Sequence, residues 1–173
     1  MPNHLSTIGI AHTAIGLIAV SYAINALVRY GAIKPLSMPG KWYIALTVIA
    51  CVSSFPIMNS GHPTAGHAFA VMILIMLPLA IYAHSIRFFG NKADYVQTVL
   101  MSATLFLSMI PAVVETLTRV PVSQPIASSQ EDPVVKMGVG ILFVLFVSGV
   151  TYQILKLRAS LKTYPTSTET IEL

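Results

Sequence analysis

A few ionisable side chains stand within or beside long apolar stretches of this sequence. His12 lies in the first apolar stretch and His67 opens the third, with His62 five residues before it. Glu115 and Arg119 lie at the end of the fourth. An ionisable group at membrane depth costs on the order of 2.5–3.5 kcal/mol and usually faces the interior of a helical bundle. These residues are therefore the candidates for a functional site.

Two of the histidines suit a b-type haem. Neutral imidazoles on facing helices can bind the haem iron from both sides. His12 and His67 belong to different apolar stretches, and Gly16 follows His12 by about one helical turn. A glycine there leaves room for the edge of the porphyrin. We therefore predict cofactor binding by His12, His67 and Gly16.

The same residue types also suit a divalent metal ion. Imidazole and carboxylate groups bind zinc and other first-row metals, and the candidate ligands are His12, His62, His67 and Glu115. Histidines in the outer turn of a membrane helix are also often only interfacial, with the ring half in water. The sequence leaves these three interpretations open.

Glu115 and Arg119 are four residues apart, so a helix places them on one face, where they can form an ion pair. They could simply neutralise each other near the lipid headgroups. The polar segment that they enclose could equally bind the head group of a quinone or a lipid.

Five apolar segments are each close to the length of about 20 residues that a membrane-crossing helix needs. They cover approximately residues 7–28, 42–58, 64–86, 95–118 and 134–157. Each segment must satisfy its own backbone hydrogen bonds in hydrocarbon, which favours helices, and the runs lack the alternation of a barrel strand. We predict an all-α integral membrane bundle of five transmembrane helices. It forms one domain over 1–162, followed by a polar, disordered tail over 163–173.

The composition supports a bilayer as the surrounding medium and excludes several classes of protein. Only 9% of the residues are charged and 55% are hydrophobic, whereas soluble domains carry about 25% charged residues. A single cysteine, Cys51, excludes a disulfide scaffold, and a net charge of +4 does not indicate nucleic-acid binding. Motifs of zinc proteases, phosphate-binding loops and serine hydrolases are absent from the sequence.

Basic residues gather in alternate connections and therefore predict an orientation. They occupy the first connection, the third connection and the tail, whereas segment 59–63 has none. Because such residues favour the cytoplasmic side, the N-terminus is expected outside and the C-terminus in the cytoplasm. This orientation places His12, His67 and Glu115 at similar depth near the outer surface. The connection over 119–133 lies on the same side and could cover them.

Short motifs resemble those of a group of small bacterial multi-pass membrane proteins of unassigned function. They are Ile10-Ala-His12 with Gly16, then Gly40-Lys-Trp-Tyr43, then Gly61-His62 and Gly66-His67. Over residues 8–90 the chain is also loosely similar to membrane cytochromes of the b561 type. That resemblance implies at most one haem, held by His12 and His67, because four membrane histidines in two facing pairs are not found.

The expected function is a polar histidine site in the outer leaflet of a cell inner membrane, with haem- or metal-dependent electron transfer to quinone. The alternative is a non-enzymatic accessory subunit, or a small-molecule or lipid binder, within a membrane complex. The expected partners are the lipid bilayer and either quinone or another membrane subunit, and a homo-oligomer stays open.

Overall fold

The computed structural model describes residues 7–57, 64–121 and 123–163, and every regular element in these ranges is helical. Five α-helices follow one another: α1 (Thr7–Tyr30), α2 (Met38–Ser54), α3 (Ala65–Ile81), α4 (Ala93–Arg119) and α5 (Pro133–Thr163). Two short 3₁₀-helices, Ala83–Ser85 and Gly90–Lys92, lie between α3 and α4. The predicted all-α fold is confirmed for the described residues. The predicted disordered tail lies outside them, apart from its first residue, which ends α5.

Three of the helices are long and apolar enough to cross a membrane: α1, α4 together with the short helix before it, and α5. The apolar helix α3 has 17 residues and falls below that length. The amphipathic pattern of a soluble helix is not needed in lipid, since apolar side chains can face outward on every side. The structure therefore agrees with the predicted membrane class.

The second helix is displaced from its predicted range of 42–58. It begins at Met38 because Ser37 caps it: the Gly40 N–H donates to Ser37 Oγ at 3.2 Å, and Pro39 occupies the first turn. It ends at Ser54, two residues before Pro56. The cap and the helix-breaking proline, rather than the apolar run, determine these two ends.

The third helix is shorter than the predicted range of 64–86. The α-helix ends at Ile81, and a 3₁₀ turn over Ala83–Ser85 follows, so that His84 is not in an α-helix. Apolar composition continues through this turn and does not distinguish an α-helix from a tighter one. The other three predicted ranges lie inside α1, α4 and α5.

Neighbouring helices along the chain pack against each other. α1 lies on α2, α2 on α3, α3 on α4, and α4 on α5. Small residues permit the close approach of α1, where Ala19, Ala23 and Ala26 are buried. On the other side of the bundle, α5 lies beside α4 and exposes most of its apolar side chains. The buried core is therefore formed by α1, α2, α3 and α4.

Hydrogen bonds from polar side chains connect α4 to its neighbouring helices. Tyr43 on α2 bonds Thr104 on α4 at 2.9 Å, and Ser102 on α4 donates to Gln153 on α5 at 2.8 Å. The Gln97 amide donates to the carbonyl of Ala80 on α3 at 2.9 Å. In a membrane such bonds stabilise a helix pair by about 0.6 kcal/mol on average. They fix the register of α4 against three neighbours.

Candidate functional site

His67 lies in the first turn of α3 and is buried, with 8% of its surface exposed. The Thr64 N–H donates to His67 Nδ1 at 3.0 Å, and the Thr64 hydroxyl lies 3.0 Å from the same nitrogen. This is the capping-box arrangement, in which the third residue of a helix reaches back to its cap. The cap residue therefore determines the orientation of the ring.

The other ring nitrogen of His67 has no partner among the described residues. Nε2 is buried and makes no hydrogen bond there, while the Phe55 ring lies 6.3 Å away between centroids. Because Nδ1 accepts the Thr64 N–H, the neutral ring carries its hydrogen on Nε2. The site therefore presents a buried N–H donor. Leaving such a donor unpaired costs about 1–3 kcal/mol.

His12 is held differently, by the last turns of α2. Its Nδ1 lies 2.9 Å from the carbonyl of Ala50 and 3.0 Å from the Ser53 hydroxyl. The Ser53 hydroxyl donates its own hydrogen to Ala50, so both groups accept from the ring N–H of His12. The neutral ring then keeps its lone pair on Nε2. His12 and His67 thus have opposite hydrogen-bonding character at Nε2.

Both histidines lie at the same end of α2, and their common depth in a membrane stays a prediction. His12 bonds Ala50 and Ser53 in the last turns of α2. His67 lies beside Phe55, two residues after Ser53. α1 and α3 approach α2 separately, and no hydrogen bond or ring contact joins the two imidazoles in the described part of the chain. The prediction that they hold one haem stays a prediction.

Gly16 lies one turn from His12, and space is open around it. A methyl group placed on its Cα would meet no other atom within 4 Å. That space is consistent with the predicted room for a porphyrin edge, and it also fits a lipid-facing position. Gly16 therefore makes no close helix contact.

Glu115 and Arg119 form the ion pair that their spacing predicts. Arg119 Nε donates to Glu115 Oε2 on the last turn of α4, and both side chains are partly exposed, 47% for Glu115 and 31% for Arg119. The pair satisfies both charges locally, so it has no need of a histidine partner. Binding of a quinone or lipid head group by this pair stays a prediction.

The described residues contain no preformed cluster of the kind that the predicted metal site needs. Within residues 7–57, 64–121 and 123–163, no three histidine, cysteine or acidic side chains lie close enough to hold a metal ion. His12, His67 and Glu115 are therefore not such a trio. The fourth predicted ligand, His62, lies outside the described residues.

The connection between α4 and α5 folds back onto the end of α4. The Ala127 N–H donates to the Leu117 carbonyl at 2.9 Å, and Ala127 is buried. Asp132 caps α5 by accepting from the Val134 N–H, and it also accepts from the N–H of Ser128 in the preceding connection. Those two bonds hold the pKa of the Asp132 carboxyl below its usual value. The prediction that this connection closes over the site stays open, since no described contact joins it to His67.

Sequence reasoning missed the residues that orient the two histidines. The predicted span over 64–86 begins at Thr64 but gives it no role, and the candidate site residues include neither Ser53 nor Phe55. One signal was available: a threonine three residues before His67 at a helix start has the spacing of a capping box. The His12 contacts depend on the packing of α1 against α2, which has no local signature.

Comparison of the chain with models of protein families, with curated proteins and with solved structures finds no match. The class of the protein therefore rests on its fold: an all-helical protein with three helices able to cross a membrane. The likeness to b561-type cytochromes stays a prediction.

Proposed function

We propose that the protein is a five-span membrane protein with its N-terminus outside, in a cell inner membrane, and that it binds a membrane-soluble small molecule at His67. The observation that carries the proposal is the buried Nε2, which has no hydrogen-bond partner among the residues that the structure describes. Buried polar groups in folded proteins are nearly always hydrogen-bonded, so an exception calls for an explanation. A ligand oxygen would provide the missing acceptor.

The character of His67 favours a neutral acceptor over a metal ion. With Nδ1 engaged by the Thr64 N–H, Nε2 bears hydrogen and has no lone pair to offer a metal. A carbonyl oxygen fits such a donor. Quinones carry two carbonyl oxygens on an apolar ring and dissolve in the bilayer, so a quinone is the ligand class that we propose.

The position of His67 supports entry of the ligand from the membrane. The site lies at the start of α3, beside the end of α2, and Phe55 provides an aromatic neighbour for a flat ring. Hydrophobic walls with one or two polar groups are typical of small-molecule sites. Among five spans, this end of α3 belongs to the outer leaflet.

The test is quinone binding to the purified full chain in detergent. A short-chain benzoquinone is titrated, and affinity is measured by calorimetry or by the ligand-dependent shift of thermal unfolding. His67→Ala should weaken binding about tenfold, the loss of roughly one neutral hydrogen bond and its packing. His67→Gln keeps an N–H donor at a similar reach and should retain part of the affinity.

His84→Ala is the matched control, because that histidine stands exposed at the other end of α3 and pairs with Asp94. It should bind quinone as the wild type does. Equal affinities for wild type, His67→Ala and His84→Ala would contradict the proposal. A Soret band in the dithionite-reduced protein that is lost in His67→Ala would replace the proposed quinone site with a haem site.

A further inference from the structure

An open apolar groove runs along the first turns of α4, away from the histidines. It has a volume of about 430 Å³ and is lined by Lys92, Tyr95, Val96, Val99 and Leu100. From Lys92 to Leu100 the helix rises about 12 Å. Apart from Lys92 and the Tyr95 hydroxyl, the lining side chains are hydrocarbon, so the groove fits a segment of an acyl chain.

Positive charge is concentrated at one end of this groove. Lys92 stands at its mouth, directly before the first residue of α4, where the helix dipole adds partial positive charge. Arg87 lies in the same connection. Neither is in an ion pair in the described part of the chain. The carboxylate of Asp94 lies 3.3 Å from His84 Nε2 and forms no ion pair with Lys92 in the described residues, so this connection has two basic side chains near one carboxylate.

Aromatic residues mark this end as the level of a membrane surface. Phe88 is 92% exposed and stacks edge-on against Phe89, with 5.8 Å between ring centroids. Tyr82, at the end of α3, is also exposed. An exposed phenylalanine beside basic residues is favourable where a protein meets lipid headgroups. The mouth of the groove therefore lies at headgroup depth and its length extends into hydrocarbon.

We propose that this groove binds one anionic phospholipid, with the phosphate at Lys92 and an acyl chain along Val96, Val99 and Leu100. Charge complementarity favours this occupant, because a basic side chain near anionic lipid headgroups contributes about 1 kcal/mol to the free energy of binding. A second groove, on α5, provides a comparison. It has a similar volume of about 480 Å³, but Lys136, next to its lining residue Met137, is paired with Glu131 at 3.0 Å.

The experiment is lipid titration of the full chain in detergent, read by native mass spectrometry. Dioleoyl phosphatidylglycerol is compared with dioleoyl phosphatidylcholine. The wild type should bind the anionic lipid more tightly. Lys92→Gln should lower that affinity about fivefold, the fold-change that corresponds to one basic residue at an anionic surface, and leave the zwitterionic lipid unchanged. Val99→Trp fills the groove and should weaken both lipids.

The matched controls are Lys136→Gln and Val144→Trp, which make the same changes at the α5 groove. Both should bind the anionic lipid as the wild type does. Equal affinity of the wild type for the two lipids would overturn the proposal, and so would equal losses in Lys92→Gln and Lys136→Gln. If Val99→Trp converts a dimer to a monomer without changing lipid binding, a second copy of the chain is the occupant. Lys92→Gln keeps the proposal testable should Val99→Trp fail to fold.

Discussion

At the scale of single residues, His12 and His67 differ because of the backbone groups that they contact. His67 accepts from the N–H of its own helix cap, which leaves a donor at Nε2, whereas His12 donates to a carbonyl of another helix, which leaves an acceptor there. Identical side chains thus acquire opposite chemistry at Nε2 from the hydrogen bonds that each makes at Nδ1. This difference is the reason that the quinone proposal rests on His67 and not on the pair.

Asp132 provides a pH-dependent prediction at this scale. Its folded-state pKa lies below the ordinary value of 3.8, because the N–H groups of Val134 and Ser128 stabilise the carboxylate. The cap therefore adds stability above the unfolded-state pKa and loses it as the pH falls through the folded-state pKa. At pH 7, Asp132→Ala should increase hydrogen exchange of the amides over 128–136.

Asp132→Asn is the companion variant for that measurement, since asparagine caps a helix about as well as aspartate but does not titrate. At pH 7, its amides over 128–136 should be protected from hydrogen exchange about as well as those of the wild type. That protection should not fall in the acidic range where the wild type loses it. Unchanged protection in Asp132→Ala would mean that the cap does not hold the start of α5.

At the scale of helices, the space around each glycine shows how closely a neighbouring helix approaches it. A methyl group on Gly138 of α5 would lie 3.1 Å from Val113 and 3.2 Å from Leu117, both on α4. The same group on Gly140 would meet nothing within 4 Å. Of these two glycines, only Gly138 lies on the face of α5 that packs against α4. At the start of α2, a side chain on Gly40 would overlap the carbonyl of Lys34, so the preceding loop requires glycine there.

Gly138→Ala and Gly140→Ala form a matched pair on one helix. Both gain about 1 kcal/mol of helix propensity, but Gly138→Ala also presses against Val113 and Leu117, and overpacking costs about 1–3 kcal/mol. Thermal unfolding in detergent should place Gly140→Ala at or above the wild type and Gly138→Ala below Gly140→Ala. Equal melting temperatures would show that α5 does not rest on α4 at Gly138.

At the scale of the whole molecule, the helices form a chain of neighbours rather than a symmetric bundle. α1, α2, α3 and α4 share the buried core, whereas α5 contacts α4 and leaves most of its surface open. Polar and basic features are separated along the bundle. The histidines lie at the end where α2 finishes, and Arg87 and Lys92 lie at the end where α4 begins.

The proposed orientation predicts opposite accessibility for the two ends of α4. Both cysteines are introduced in a Cys51→Ala background. Asn91→Cys should react with a membrane-impermeant maleimide only when the membrane is permeabilised, so that the reagent reaches the cytoplasmic side. Ser129→Cys should react in intact cells. The native Cys51 is 6% exposed, so the unsubstituted protein is the unlabelled control. Labelling of both positions from one side would contradict a membrane-spanning α4, and exchanged sides would reverse the orientation.

The sequence by itself determined the all-helical class, the presence of apolar helices able to span a membrane, and the Glu115–Arg119 ion pair. Each depends on composition or on spacing along one helix, so each can be predicted without knowing how the helices pack. The ends of α2 and α3 were less predictable, because the Ser37 cap and a 3₁₀ turn act against a continuous apolar run.

Only the tertiary structure decided which nitrogen of each histidine is engaged, which glycine lies against a neighbouring helix, and where the groove on α4 runs. Ala50 and His12 are 38 residues apart, and no local pattern links them. In a bilayer, apolar side chains are equally favourable against lipid or against another helix. Hydropathy therefore does not show which face of a helix packs, and the contacts that orient the polar groups follow only from the packing.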